Sequence, residues 1–194
     1  MKTIIFDFDG VIHDTYELAY RIFGKGIDED EFKDFFSGNF FEREITEEQK
    51  RKDKESYKLQ SEAFQYLEID ANIKKNLEKL SEKYNLFIVS SNQEEALNIY
   101  FQNNNFTHIF KEILGAQTHQ SKVKKFKYIF EKYNLTAEDC IFVTDTLGDI
   151  LEANKVELKT IAVDFGFHER HRLEKGNPFK IVSRFDEILE VVNT

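Results

Sequence analysis

Polar side chains follow three of the short apolar runs in this sequence, at the point where each run ends. These residues are Asp7, Asp9, Ser90, Asn92, Asp145 and Asp149. Carboxylates at two such ends suit a hard divalent cation with oxygen ligands, most simply Mg²⁺. A hydroxyl group at another end, with the ammonium of Lys122 at the start of a lysine cluster, suits a phosphate.

The first pair of acids has a spacing that permits two chemical roles. Asp7 and Asp9 lie two residues apart and are followed by Gly10. On a simple strand both side chains would face the same way, so one can act as a nucleophile and the other as a proton donor. Two solvated acids in a turn after an edge strand would give the same pattern. The pair alone leaves both interpretations open.

Short apolar runs alternate with helical patterns along most of the chain. Continuous runs of this length are typical of strands buried on both faces of a parallel sheet. The runs cover residues 3–8, 86–89, 141–143, 159–163 and 180–182. The alternation predicts an α/β fold with a doubly wound, Rossmann-like and mostly parallel sheet. In such a sheet the polar residues at the strand ends converge where ligands bind.

One segment breaks this alternation. From about residue 14 to residue 72 the sequence has helical patterns and no convincing strand. Eleven of the 28 Phe and Tyr residues fall within it, enough for a small core of its own. Helices are predicted near 16–23, near 32–36 and from about 42 to 68, with a charged, solvated face at 47–58. We predict a helical insertion over 14–72, within a core formed by 1–13 and 73–194.

Composition limits the remaining possibilities. With 194 residues, 41% of them hydrophobic, the chain suits one domain or a core with a modest insertion. A formal net charge of −9 argues against a nucleic-acid partner. The single Cys140 excludes an internal disulfide and a Cys-rich zinc site. Asp7 interrupts the N-terminal apolar run too early for a signal peptide, and no run is long enough to span a membrane. We expect a cytoplasmic monomer or small homo-oligomer with no membrane partner.

Four short motifs, in order along the chain, resemble those of the haloacid dehalogenase-like (HAD) hydrolases. Residues 6–11 resemble the first motif, and 88–92 resemble the second, an apolar strand ending in Ser or Thr. Lys122 resembles the third, a lysine that begins a helix, and 141–149 resemble the fourth, a strand running into two acids. The resemblance spans residues 4 to about 182. Thr144 stands where many members have Gly, which weakens any assignment to a subfamily.

This resemblance implies a Mg²⁺-dependent phosphatase with a small type-1 helical cap, acting on a small phosphorylated metabolite. It implies that Asp7 attacks phosphorus to give an aspartyl-phosphate, while Asp9 protonates the leaving group and later activates water. Ser90, Asn92 and Lys122 would bind the phosphoryl group. The metal would be held by Asp7, by the backbone carbonyl of Asp9 and by Asp145. Asp149 would be either a further or water-mediated metal ligand, or a brace for the loop.

Several alternatives use the same residues. A phosphomutase or phosphotransferase of the same superfamily, or a non-catalytic HAD-like binding protein, would carry these motifs. A dehalogenase is disfavoured because it needs neither Asp9 nor a metal. A receiver domain is disfavoured because it is shorter and accepts phosphate on a middle strand. Basic residues of the insertion are candidate contacts for a second anionic group or simply surface charges: Arg21, Lys25 and Arg43.

Overall fold

The computed structural model describes residues 2–42 and 46–193. For residues 48–50, 52 and 53 it describes the backbone only. The described residues form six strands and nine α-helices. The strands β1 to β6 are Thr3–Phe6, Asn85–Val89, Phe110–Leu114, Cys140–Thr144, Lys159–Val163 and Lys180–Val182. The helices α1 to α9 are Tyr16–Phe23, Glu29–Asp34, Glu47–Phe64, Ala71–Ser81, Glu94–Asn103, Lys122–Tyr133, Leu147–Asn154, Arg170–Leu173 and Glu187–Val192.

The six strands form one sheet, and every pairing in it is parallel. The order is β3-β2-β1-β4-β5-β6, which places β1 between β2 and β4. At the end of β1, Phe6 is level with Ile88 of β2 and Val143 of β4. The loops that follow these three strands therefore leave the sheet at the same edge. This architecture confirms the predicted doubly wound α/β fold.

One strand was not predicted from the sequence. β3 contains Lys111 and Glu112, which interrupt the apolar pattern on which the other strands were recognised. β3 lies at the edge of the sheet, where charged side chains can reach solvent. The short apolar run at 180–182 does form a strand, β6, at the opposite edge.

Apolar residues cover both faces of the sheet, which explains why its strands lack polar alternation. Ile4 and Phe6 of β1 face one layer, packed with residues of α4, α5 and α9, and Ile5 faces the other, packed with α6 and α7. Each central strand residue is thus buried whichever way it points. Packing on both faces fixes the positions of the strand ends, and therefore the points at which the loops at the carboxyl edge begin.

Between Tyr16 and Ser81 the described regular elements are all helices, joined by turns and loops. The helix predicted near 32–36 is α2, which begins after Asp28, whose side chain accepts a hydrogen bond from the Glu31 amide (2.8 Å). The helix predicted from about 42 to 68 is α3, while residues 43–45 lie outside the described residues. Phe32 is buried at the centre of a small aromatic cluster, apart from the two layers on the sheet. No helix in the described ranges has the length and apolarity to span a membrane.

Candidate active site

A cleft that is open to solvent lies at the carboxyl edge of the sheet. Six of the seven site residues predicted from the sequence line it. They are Asp7, Asp9, Asn92, Lys122, Asp145 and Asp149. Residues that follow three different strands meet there with the first residue of α6, as the parallel topology requires.

Lys122 lies between two carboxylates on the floor of this cleft. Its Nζ is 2.9 Å from Asp7 Oδ2 and 2.6 Å from Asp149 Oδ2, and its side chain is only 2% exposed. Burial disfavours the ammonium, but Asp149 and Asp7 together raise the pKa of Lys122. Burial likewise opposes ionisation of Asp149, yet Lys122 holds the pKa of Asp149 below its ordinary value. Lys122 is therefore a permanent cation in contact with Asp7.

Further hydrogen bonds fix the two partners of Lys122. The Phe8 amide donates to Asp7 Oδ1 (2.8 Å), and the Thr144 hydroxyl donates to Asp149 Oδ2 (2.7 Å). Burial raises the pKa of Asp7 well above its ordinary value, and Lys122 opposes that rise. The hydroxyl of Thr144, the residue that departs from the family pattern, thus supports the carboxylate that orients Lys122.

Asp9 faces the cleft from the turn after β1 and is held at both oxygens. The Thr15 hydroxyl donates to Oδ1 (2.6 Å), and the Asn92 amide donates to Oδ2 (2.7 Å). Burial raises the pKa of Asp9, while these two hydrogen bonds act in the opposite direction. A carboxyl group with a raised pKa can hold a proton for transfer at neutral pH more readily than an exposed one.

Asp145, after β4, has one oxygen paired and one without a partner. The Phe167 amide donates to Oδ2 (2.7 Å), whereas the buried Oδ1 has no hydrogen-bond partner among the described residues. Burial raises the pKa of Asp145 to about 8. Gly10, with φ +65°, packs against this carboxylate so closely that a Cβ there would lie 1.9 Å from Oδ2. Only glycine can make that turn.

The charges around the cleft favour a bound cation. Its described lining carries five carboxyl groups, Glu152 being the fifth, and a single ammonium group, that of Lys122. Within the described ranges, no three His, Cys, Asp or Glu side chains come together as a complete metal site. Asp7 and Asp145 nonetheless line the same cleft, and the buried Oδ1 of Asp145 has no partner among the described residues. A hard cation such as Mg²⁺ would favour the ionised form of such buried carboxyl groups, which burial alone disfavours.

Ser90 is the one predicted site residue that does not line the cleft. It is fully buried, and its backbone amide donates to the Leu114 carbonyl (2.9 Å). Its hydroxyl oxygen accepts a hydrogen bond from the backbone amide of Asn92 (3.1 Å). The next residue, Ser91, does line the cleft. The strand ending in two serines gave no sign of which hydroxyl would face the ligand, because successive side chains of an extended chain alternate in direction.

Lys125 is a buried residue of this region that the sequence analysis did not single out. Its Nζ donates to the backbone carbonyls of Ser90 and Gly115 (3.1 Å to the latter), and its side chain is fully buried. It lies three residues after Lys122 and four before Ile129, on the buried face of α6. Helical spacing could have identified it. Lys125 thereby joins the loops that follow β2 and β3.

Lys125 makes folding stability depend on pH in a predictable direction. Burial, followed by the nearby Lys122, lowers the pKa of Lys125 to about 7, from 10.5 for an ordinary lysine, against the attraction of Asp7, Asp149 and Glu152. Between these values the unfolded chain binds a proton that the folded protein lacks. The free energy of unfolding should therefore rise with pH from about 7 to 10, by at most about 1.4 kcal/mol per pH unit.

Urea unfolding of the Lys125→Met variant tests this expectation. The variant lacks the contribution of Lys125 to the pH-dependent increase in the free energy of unfolding. Its stability relative to the unaltered protein should therefore fall as pH increases from 7.5 to 9.5. Lys124→Met, at the exposed neighbouring lysine, serves as the control and should keep the original slope. Equal slopes for both variants would contradict a lowered pKa at Lys125.

Three basic residues of the insertion were candidates for contact with a second anionic group. The two that the structure describes do not line the cleft. Arg21 and Lys25 are exposed and lie outside its lining. Arg43 lies outside the described residues.

His168 is fully buried and joins the start of α7 to the segment between β1 and β2. Its Nδ1 accepts from the Leu147 amide (3.0 Å), and its Nε2 donates to the Lys33 carbonyl (2.9 Å) of α2.

An all-parallel sheet with a lysine held between acids at its carboxyl edge defines a HAD-like core. The family model of the haloacid dehalogenase-like hydrolases matches residues 4–163. The chain belongs to this family.

Individual relatives are distant in sequence and similar in fold. A phosphoglycolate phosphatase of Aliivibrio fischeri is 23% identical over 126 residues, and one of Pasteurella multocida is 25% identical over 125. These matches cover 63% and 62% of this chain but only 56% of each relative, so the matched part spans little more than half of their length. A haloacid dehalogenase-like hydrolase of Streptococcus pneumoniae has the same fold, with a TM-score of 0.80, 22% identity and coverage of 99% and 98% of the two chains. A hydrolase of Pseudomonas syringae gives a TM-score of 0.80 at 16% identity, over 100% and 98%.

Proposed function

We propose that this protein is a Mg²⁺-dependent phosphatase that hydrolyses a small phosphomonoester through an aspartyl-phosphate on Asp7. The observation that carries the proposal is the position of Asp7 on the cleft floor, 2.9 Å from the buried ammonium of Lys122 and in the same cleft as Asp9. A nucleophile beside a fixed cation and opposite a proton donor is what phosphoryl transfer requires. The phosphatase names of the relatives agree with it.

In the first step, Asp7 attacks the phosphorus atom in line with the leaving oxygen. A bond forms between a carboxylate oxygen of Asp7 and phosphorus, and the bond between phosphorus and the leaving oxygen breaks. Asp9 donates its proton to that oxygen, so the leaving group departs as a neutral alcohol. Lys122 offsets the repulsion between the phosphate dianion and the Asp7 carboxylate. Asp149 keeps Lys122 in that position through their 2.6 Å contact.

In the second step, water hydrolyses the aspartyl-phosphate. Asp9, now a carboxylate, takes a proton from the water as the water oxygen attacks phosphorus, and the bond to Asp7 breaks. Inorganic phosphate leaves and Asp7 is restored. Asn92 and Thr15 hold Asp9 through both steps by their hydrogen bonds. We assign the hydroxyl that binds the phosphoryl oxygens to Ser91, which lines the cleft where Ser90 does not.

The residues suited to hold Mg²⁺ are the carboxylates of Asp7 and Asp145 and the backbone carbonyl of Asp9. The partnerless Oδ1 of Asp145 supports this set. Asp149 is engaged by Lys122 and Thr144, which favours the bracing role for its side chain. When bound, the ion neutralises charge on the transferring phosphoryl group.

We further propose that residues 14–72 form a cap over this cleft. Ala19, Phe23 and Phe36 of this segment line the same cleft as Asp7. Near the site the segment meets the core through hydrogen bonds that include those from the Gly148 amide to the Phe36 carbonyl (2.9 Å) and from the Asn39 side chain to Glu152 (3.2 Å). A lid over a cleft of this kind can open for substrate and exclude water when closed.

Hydrolysis of phenyl phosphate by the whole chain tests the proposed function. We expect turnover with millimolar Mg²⁺, a loss of at least about 100-fold in excess chelator, and recovery when Mg²⁺ is restored. The assay measures released phosphate. Equal rates with and without chelator would overturn the metal assignment, and the absence of turnover under all conditions would overturn the function itself.

A further inference from the structure

Part of the cleft lining is apolar and is not used by the hydrolytic chemistry. Five aromatic rings form it, and we call them the aromatic chamber: Phe23, Phe36, Phe40, Tyr57 and Phe167. All but Phe167 belong to the segment between β1 and β2. Because the chamber and Asp7 line the same cleft, a phosphomonoester bound at Asp7 has these rings available to contact its leaving group.

The rings of the chamber contact one another in a chain. The centroid distances are 5.4 Å for Tyr57 and Phe23, 6.2 Å for Phe23 and Phe40, and 5.7 Å for Phe40 and Phe36. Phe36 in turn meets the edge of Phe167 at 5.1 Å. These contacts fix the ring positions and leave other parts of the same rings on the cleft wall. A flat ring packs well against such a surface, in a stacked or an edge-on arrangement.

One amide on the cleft wall has no protein partner among the described residues. Gln60 of α3 lines the cleft and is only 5% exposed as a whole residue, and its amide makes no hydrogen bond to a described residue. The nitrogen and oxygen of this amide are not among the fully enclosed atoms that lack a partner, so they face the space of the cleft, where a ligand can reach them. The amide offers a donor and an acceptor side by side. A ligand that presents the complementary pair would satisfy both.

The charges near the chamber disfavour an anionic leaving group. Glu152 is buried and lines the cleft, where its Oε1 accepts from the Ser121 hydroxyl (2.9 Å) and the Asn39 amide (3.2 Å). Among the described lining residues, the only cation is Lys122, which already contacts two carboxylates. A carboxylate on the leaving group would meet further negative charge with no cation to offset it.

We propose that the substrate of this protein is a phosphomonoester whose leaving group carries an uncharged, planar heterocycle with an adjacent hydrogen-bond donor and acceptor. The ring packs in the aromatic chamber, and its polar edge pairs with the amide of Gln60. This inference rests on the proposed phosphatase function and names its substrate class. It sets the chain apart from relatives named for phosphoglycolate, whose leaving group bears a carboxylate. A nucleoside monophosphate and a phosphorylated heterocyclic alcohol both have this chemistry.

The test compares kcat/KM of the whole chain, with Mg²⁺, on five compounds. Uridine 5′-monophosphate and 2-pyridone-methyl phosphate both carry the ring and its polar edge. Comparing them distinguishes a nucleoside monophosphate from a phosphorylated heterocyclic alcohol. Ribose 5-phosphate lacks the ring, phenyl phosphate lacks the polar edge, and phosphoglycolate carries the carboxylate. We expect at least one of the first two to exceed both ribose 5-phosphate and phosphoglycolate by at least about tenfold. Phosphoglycolate as the best of the five would overturn the inference.

A variant isolates the contribution of the amide. Gln60→Leu keeps the volume and removes the hydrogen bonds, so it should lower kcat/KM for the preferred heterocyclic substrate at least about tenfold and for phenyl phosphate less than about twofold. Gln65→Leu, at an exposed glutamine just beyond the same helix, is the matched control and should change neither. Equal loss on both substrates would contradict the assignment of Gln60. If no compound, phenyl phosphate included, is hydrolysed, the proposed function fails; if only the ranking fails, the function stands. The ranking on the unaltered protein decides the inference even if Gln60→Leu does not fold.

Discussion

Asp7→Asn should lower kcat for phenyl phosphate hydrolysis by more than about 10³-fold while leaving the fold intact. The amide is nearly the same size as the carboxylate and can keep the hydrogen bond from the Phe8 amide, but its oxygen is a poor nucleophile. Burial raises the pKa of Asp7, so the native structure does not gain stability from its charge. The thermal unfolding midpoint should therefore be unchanged or higher.

Phosphate release and thermal unfolding, measured on the same preparations, check this expectation. Asp186→Asn, at a partly exposed acid that lies outside the described cleft lining, is the control and should retain full activity. Activity within tenfold of the unaltered protein would place the nucleophile elsewhere. A simultaneous loss of the folded state would instead show that Asp7 is needed for folding, and would contradict the stability argument above.

Most of the sheet could be predicted because its central strands are buried on both faces. The run from Ile141 to Val143 is continuous and apolar for that reason, and its end points to Asp145 and Asp149, which line the same cleft as Asp7. β3 could not be recognised, since Lys111 and Glu112 are compatible with an edge strand but not typical of one. A continuous apolar run reveals a strand most clearly where the environment on both sides is apolar.

The parts of the cleft that were missed are those set by tertiary contact. Gln60 stands in a helix whose sequence is dominated by charge, although it shares a face with Tyr57 and Phe64. Its burial depends on the aromatic residues packed around the cleft, which no local pattern specifies. Lys125 was not singled out from the sequence because lysine is rarely buried, yet two loop carbonyls accept hydrogen bonds from its Nζ. Its helical spacing from Lys122 and Ile129 on the buried face of α6 is the signal that could have identified it.

Lys122→Met should both abolish activity and destabilise the fold. The substitution removes the cation that lies between Asp7 and Asp149, so the phosphate dianion would approach two uncompensated carboxylates. We expect kcat/KM for phenyl phosphate to fall by at least about 10³-fold. Leaving buried carboxylates without their partner typically costs about 3–5 kcal/mol, which should appear in urea unfolding at pH 7. Lys124→Met, two residues along on the exposed side of α6, should change neither quantity.

A double variant separates the two roles of Lys122. In Lys122→Met/Asp149→Asn the second change neutralises one of the carboxylates that the first leaves unpaired, so part of the lost stability should return. Activity should not return with it, because no cation then faces the phosphoryl group beside Asp7. Recovery of activity in parallel with stability would mean that Lys122 acts only by holding Asp149 in the fold. Recovery of stability alone identifies its ammonium as part of the phosphoryl-transfer machinery.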